Sequence, residues 1–212
     1  VLGNKNNVLP LAKVDTMKIL DIVISDTEDQ AHGLLFHRLA RQRYRNITFA
    51  KIDPRSNRME YDSVIASAKL ADKLLVQLHL YTRSGEMTGF VDSTQAQLAK
   101  TLATLGKPMI GVSWGNPYVA MDLPRFDAYV CAYSDADCMQ QAVAEVLFAE
   151  EPAKGKLPIT IPGVYSFGEG VEYAKLTLRE GNPGEAGFDP KEFKKVDGVM
   201  ESAIKDSAFP GG

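Results

Sequence analysis

Five short apolar runs recur along the chain, and the polar segments between them carry apolar residues at helical spacing. Residues 17–25 (MKILDIVIS) form a continuous, β-branched run that predicts a first buried strand. Residues 47–52, 73–80 (KLLVQLHL), 109–112 and 127–133 (DAYVCAY) predict four more. Asp26-Thr27 reads as a helix N-cap with Glu28 and Asp29 in the first turn, and that helix is expected to reach about Arg43. Its apolar face is Leu34, Leu35 and Leu39, with Phe36 beside them. Residues 61–70 carry Val64, Ile65 and Ala68 on one side, and residues 93–105 carry Leu98, Leu102 and Leu105. A further helix, capped by Asp135, is expected to run through Val146 and Leu147 to Ala149. Strands alternating with helices predict a doubly wound, mostly parallel sheet in a three-layer α/β sandwich.

After Glu151 the pattern changes. Pro152, Gly155, Pro158, Pro162 and Gly163 exclude helix and predict an extended C-terminal arm or edge strand. Gly168 and Gly170 supply a turn, and residues 181–187 read as a linker. Asp189-Pro190 then starts a final helix over residues 191–205, with Phe193, Val196, Met200 and Ile204 on one face. Residues 1–12 are Asn-rich and read as a lead-in linker, and residues 13–180 as the main domain.

In a parallel sheet, ligands collect outside the carboxyl ends of the strands. The loop after the fourth run, Trp114 to Tyr118 (WGNPY), lies on that edge, as does His79 near the end of the third. Trp114 is either packing or a cleft wall. His79 is either a hydrogen-bonded core histidine or a group lining a cleft. Arg83 and Glu86 sit in a long connection, YTRSGEMTGFVD, of the kind that often carries function.

Composition narrows the classes. The 212 residues carry 24 Lys and Arg against 27 Asp and Glu, so a net charge of −3 offers no basic field for nucleic acid. No apolar run approaches the roughly 20 residues needed to span a bilayer. Cys131 and Cys138 fit no zinc spacing, and none of the three histidines lies near them, so two free, mostly buried thiols and no metal or cofactor are expected. The third strand ends in His79-Leu80-Tyr81-Thr82 with no Asp, which excludes a phosphoaccepting receiver. The acidic turn after the first strand would repel a flavin phosphate and has no GxGxxG for a dinucleotide. Ser202 and Lys205 have SxxK spacing, but without partner motifs the match reads as chance.

Three stretches in order then resemble one family: NKNNVLPL, RSGEM…QAQLAKTLATLGKPMIGVSWGNPYV, and AEVLFAEEPAKGKLPITIPG. Together, over about Asn4 to Gly170, they are similar to the C-terminal α/β-sandwich domain of family 3 glycoside hydrolases, which follows a (β/α)8-like barrel. The tail GFDPKEFKKVDGVMESAIKDSAFPGG resembles the first helix of serine β-lactamase-like hydrolases, so residues 181–212 are expected to begin a second domain. This combination implies a bacterial, extracytoplasmic enzyme, periplasmic or membrane-anchored, of β-N-acetylglucosaminidase type. Its expected partners are the barrel, the downstream hydrolase domain and a carbohydrate substrate. The family's nucleophile is an Asp on the barrel. In β-glucosidase members a Glu of this domain serves as acid/base, but the matching stretch here is Val76-Gln77-Leu78-His79-Leu80-Tyr81. The resemblance therefore implies an accessory domain without a catalytic residue, Glu86 being the one nearby carboxylate. His79, Tyr81, Arg83, Trp114 and Asn116 are the residues expected to wall a substrate cleft.

Overall fold

The computed structural model describes residues 1–11, 17–81, 91–177, 182, 184, 189–206 and 208. It divides into two units, Val1–Leu176 and Thr177–Gly212. The first is built on strands β1 (Ile19–Ser25), β2 (Ile47–Ile52), β3 (Lys73–His79), β4 (Met109–Ser113) and β5 (Ala128–Cys131). Helices α1 (Leu34–Arg43), α2 (Arg58–Leu70), α3 (Ser93–Thr104) and α4 (Asp137–Leu147) connect or follow them. All strand pairs are parallel and the spatial order is β2-β1-β3-β4-β5, so the expected doubly wound three-layer sandwich is present.

The register sorts the side chains cleanly. Even-numbered residues of β1 and β3 (Leu20, Ile22, Ile24, Leu74, Val76, Leu78) face α2 and α3 and pack with Val64, Ala68, Leu98 and Leu102. The odd-numbered positions of those strands face α1 and α4, where Leu75 and its in-register neighbours Ile110 and Ala128, with Val112, meet Phe36, Ala40, Val143 and Leu147. Each fully buried aliphatic side chain contributes about 1.5–3 kcal/mol relative to exposure. Helix α2 begins with a reciprocal cap: the Asn57 side chain accepts from the N–H groups of Met59 and Glu60, and Glu60 accepts from the Asn57 N–H at 2.7 Å.

Three helix starts differ from expectation, α2 beginning at Arg58 behind its Asn57 cap and not at Tyr61. Helix α1 begins at Leu34, not at Glu28, because the Ser25 and Thr27 hydroxyls bond His32 and Gly33 turns the chain with φ 80°. A Cβ on Gly33 would lie 2.2 Å from a Val23 methyl carbon, so the close approach needs glycine there. Helix α4 begins at Asp137 with Ala136 as its cap position, and Asp135 does not cap it.

Residues 1–11 are more than a lead-in. Leu2 pairs antiparallel with Tyr129 on β5, and Leu2, Val8, Leu9 and Leu11 are buried. The arm after Glu151 is extended as expected and returns on itself through Ala153–Tyr173 and Ile161–Tyr165 bridges. Cys131 is half-buried and Cys138 exposed, and both are free thiols; the expectation that both are mostly buried fails at Cys138, which lies on the outward side of α4. In the second unit, α5 (Pro190–Lys205) starts where expected, with the Asp189 carboxylate accepting from the Lys191 N–H at 2.9 Å. Its Val196, Met200 and Ile204 are exposed or half-exposed. The Phe193 side chain and the linker residues expected at 181, 183 and 185–187 lie outside the described residues.

Candidate functional site

The strand order reverses between β1 and β3, so the crevice of a doubly wound sheet falls at their carboxyl ends. Ser25 and His79, paired in register, are the last residues of those strands. Asp26 ties the two ends together: its N–H donates to the His79 carbonyl at 3.1 Å and its carboxylate accepts from the Tyr81 N–H at 3.0 Å. Gln95 on α3 donates to the Ser25 carbonyl at 2.8 Å.

Four side chains converge there. The His32 and His79 rings stack with centroids 4.6 Å apart. Asp135 Oδ2 lies 3.8 Å from His32 Nε2 and 3.9 Å from His79 Nδ1. The Tyr81 hydroxyl donates to the same Asp135 oxygen at 2.5 Å. Gln140 on α4 holds the two sides in place, its amide donating to the Asp135 carbonyl at 2.7 Å and its oxygen accepting from the Phe36 N–H at 2.9 Å.

Beneath this cluster runs a buried polar chain on the α1/α4 face. The Asp21 carboxylate accepts from Gln77 Nε2 and contacts His37 Nδ1, both at 2.9 Å. Gln77 Oε1 accepts from Trp114 Nε1 at 3.0 Å and faces His79 Nε2 at 3.5 Å. Burial raises the Asp21 pKa above the usual carboxylate range despite these hydrogen bonds. Burial also lowers the His79 pKa to about 3, with His32 adding to the shift, so its ring is neutral near pH 7. Burial, then the Asp135 hydrogen bond, pushes the Tyr81 phenol up.

The residues singled out from sequence separate. His79 and Tyr81 come together in the cluster. Trp114 is fully buried with its ring edge-on to Phe36 at 5.2 Å, which makes it core and leaves it no surface on a cleft. Asn116 is half-buried on the same sheet edge, where its side chain accepts from the Tyr118 N–H and starts a 3-10 turn over Pro117–Met121. Gly115 fits beneath Tyr81, because a Cβ there would lie 2.8 Å from the phenol ring. Arg83 and Glu86 fall outside the described residues. His32 and Asp135 escape a sequence reading because they lie 47 and 56 residues from His79, the nearer of them in a segment that looks helical. The signal that finds them is position: both follow the carboxyl ends of strands, β1 and β5. A cavity of about 650 Å³ lined by Lys5, Lys73, Lys107, Arg125 and Asp127 opens at the amino edge of the sheet, away from these groups.

Chemically, the cluster offers two imidazoles, a carboxylate and a phenol within reach of one another. A second carboxylate, Asp29, reaches the same His32 Nε2 that Asp135 faces, its Oδ2 lying 3.6 Å away on the exposed side.

Comparison with known proteins agrees with the fold. A fungal multi-domain family 3 β-N-acetylglucosaminidase, which carries a glucosamine N-acetyltransferase region, is 20% identical with a TM-score of 0.61, covering 99% of this chain and 22% of that one. A β-glucosidase from Listeria innocua is 20% identical with a TM-score of 0.58, covering 76% of this chain and 25% of that one. A family 3 β-N-acetylglucosaminidase from Paenibacillus sp. is 17% identical with a TM-score of 0.56, covering 70% and 28%. This chain thus spans about a quarter of the length of these enzymes. No curated protein matches it. The family described as the glycosyl hydrolase family 3 C-terminal domain matches residues 1–192, and the chain belongs to that family.

Proposed function

We propose that this chain is the accessory sandwich domain of a family 3 enzyme that removes terminal β-linked N-acetylglucosamine, or a related sugar, during glycan turnover. The family match over residues 1–192 carries the reading. In it, the domain packs against a catalytic barrel that bears the nucleophile. Tyr81 and Asn116, half-buried on the carboxyl edge, contribute to the wall of the substrate cleft. The absence of a free carboxylate at the end of β3 among the described residues favours this over a domain that supplies the acid/base itself. The tail from residue 181 begins a serine-hydrolase-like domain, and the enzyme works outside the cytoplasm of a bacterium, in the periplasm or anchored to a membrane.

A turnover assay with a chromogenic β-N-acetylglucosaminide tests this directly. The full-length enzyme is expected to be active and the chain alone inert; turnover by the chain alone would overturn the reading. In the full-length enzyme, Glu86→Gln separates the remaining alternative, since a loss of turnover of about a hundredfold or more, the scale of general acid catalysis, would assign the acid to Glu86.

A further inference from the structure

The hydrogen-bond network around the cluster fixes where its protons are. Gln77 cannot turn its amide over: Trp114 Nε1–H needs the oxygen and the Asp21 carboxylate needs the NH₂. Gln77 Oε1 is therefore an acceptor toward His79, whose Nε2 carries the proton. His79 Nδ1 is left with a bare lone pair, and it faces Asp135 at 3.9 Å.

His32 is fixed in the same way. The Ser25 hydroxyl donates its one proton to the Thr27 carbonyl at 2.9 Å, so it accepts from His32 Nδ1–H, also at 2.9 Å. The lone pair of His32 Nε2 then faces Asp135 at 3.8 Å. Tyr81 has spent its hydroxyl proton on Asp135 and has none for His79. Two imidazole nitrogens and the Asp135 carboxylate thus stand with all their ligand atoms within 4.8 Å of one another, and the Asp29 carboxylate approaches His32 Nε2 from the exposed side at 3.6 Å. Two imidazoles and two carboxylates so placed make a region of negative potential that a bound cation would occupy favourably.

We propose that His32, His79 and Asp135 form a binding site for one divalent cation of zinc type at the carboxyl edge of the sheet. Two imidazole nitrogens and one carboxylate oxygen suit a borderline transition metal, whereas calcium and magnesium prefer all-oxygen shells. Three protein ligands leave a fourth position for water or for the Tyr81 oxygen. Bonds of about 2.0–2.1 Å put tetrahedral ligands roughly 3.3 Å apart, so the His–Asp separations of 3.8 and 3.9 Å close by about half an ångström through side-chain rotation, while the stacked imidazoles turn to bring their nitrogens together. Ser25 and Gln77 hold the far ring nitrogens, which is the outer-shell arrangement of ligating histidines. The site is made wholly from this chain and does not depend on the sugar chemistry proposed above.

The test is titration of the chain with Zn²⁺ by calorimetry, with Co²⁺ absorption in the visible range as a second readout of geometry. One ion per chain is expected, with a tetrahedral cobalt spectrum. His32→Gln and Asp135→Asn should each weaken Zn²⁺ binding by a hundredfold or more, and Ser25→Ala by about tenfold through loss of the outer shell. His32 and Asp135 both lie in connections outside the strands and helices, so these variants keep the core, which circular dichroism verifies. Cys138→Ser removes the exposed thiol and should change nothing. No binding by the unaltered chain, binding undiminished in both His32→Gln and Asp135→Asn, or binding lost in Cys138→Ser would overturn the site.

Discussion

The two faces of the sheet follow different rules although the same strands supply both. Toward α2 and α3, β1 and β3 present Leu20, Ile22, Ile24, Leu74, Val76 and Leu78, an unbroken apolar layer. Toward α1 and α4, the same strands present Asp21, Ser25, Gln77 and His79, all buried, among Leu75, Ile110 and Trp114. The first face can be filled by any well-packed hydrophobic set. The second is exacting, because each buried polar atom must meet a partner or cost about 1–3 kcal/mol. Its reward is placement: the chain from Asp21 through Gln77 fixes which way the His79 ring points at the sheet edge. The polar face serves the site and the apolar face serves stability.

Thiol chemistry offers the largest contrast. Cys131 faces the α2/α3 side next to Tyr129, and burial raises its pKa to about 12. Cys138 is exposed on α4. At pH 8 only about one Cys131 in ten thousand is thiolate, so iodoacetamide should modify Cys138 more than a hundredfold faster, as read by peptide mass spectrometry. Comparable rates would mean that this side of the sheet is wet.

Substitution compares the faces in energy. Gln77→Leu leaves the Trp114 N–H without an acceptor and the Asp21 carboxylate without one of its donors, and should cost about 3–5 kcal/mol in urea unfolding. Ile22→Val, on the apolar side, should cost about 1 kcal/mol. Equal costs would erase the distinction.

A finer test uses pH. Because burial raises the folded pKa of Asp21, the folded protein binds its proton more tightly than the unfolded chain does. That contribution is fully present below the unfolded pKa and is lost as pH rises through the folded one. Asp21→Asn should therefore flatten the fall of the unfolding midpoint with rising pH from about 4 upward. An unchanged slope would mean that Asp21 binds its proton equally well in the folded and unfolded states.

These contrasts also explain what could be read in advance. The strands were visible because a central parallel strand is largely apolar on both sides, and the run 109–112 contains nothing else. The start of α1 was hidden because Asp26-Thr27 followed by two acidic residues looks like a cap and first turn, and only the fold brings His32 close enough to claim the Ser25 and Thr27 hydroxyls. Asp135 misled in the same way, its carboxylate being taken by Tyr81 from another strand end. His79 and Tyr81 could be singled out by their place after β3, whereas their partners required the sheet order. Trp114 illustrates the reverse: a loop position on the functional edge whose side chain turns inward to Phe36 and Gln77.

The pairing of Leu2 with Tyr129 bears on how the chain is made. Leu2 N donates to the Tyr129 carbonyl at 2.6 Å, Tyr129 N returns the bond at 2.8 Å, and Val171 N donates to the Val1 carbonyl at 2.9 Å. During synthesis the first residues emerge long before any of these partners exists. The β1–β2–β3 core can assemble locally, but Leu2 can pair with β5 only after residue 129 has left the ribosome, and residue 171 adds its bond to Val1 later still. Closing so long a loop is among the slowest events in folding, so until then the growing chain shows an open sheet edge, which a chaperone or a second nascent chain can occupy first.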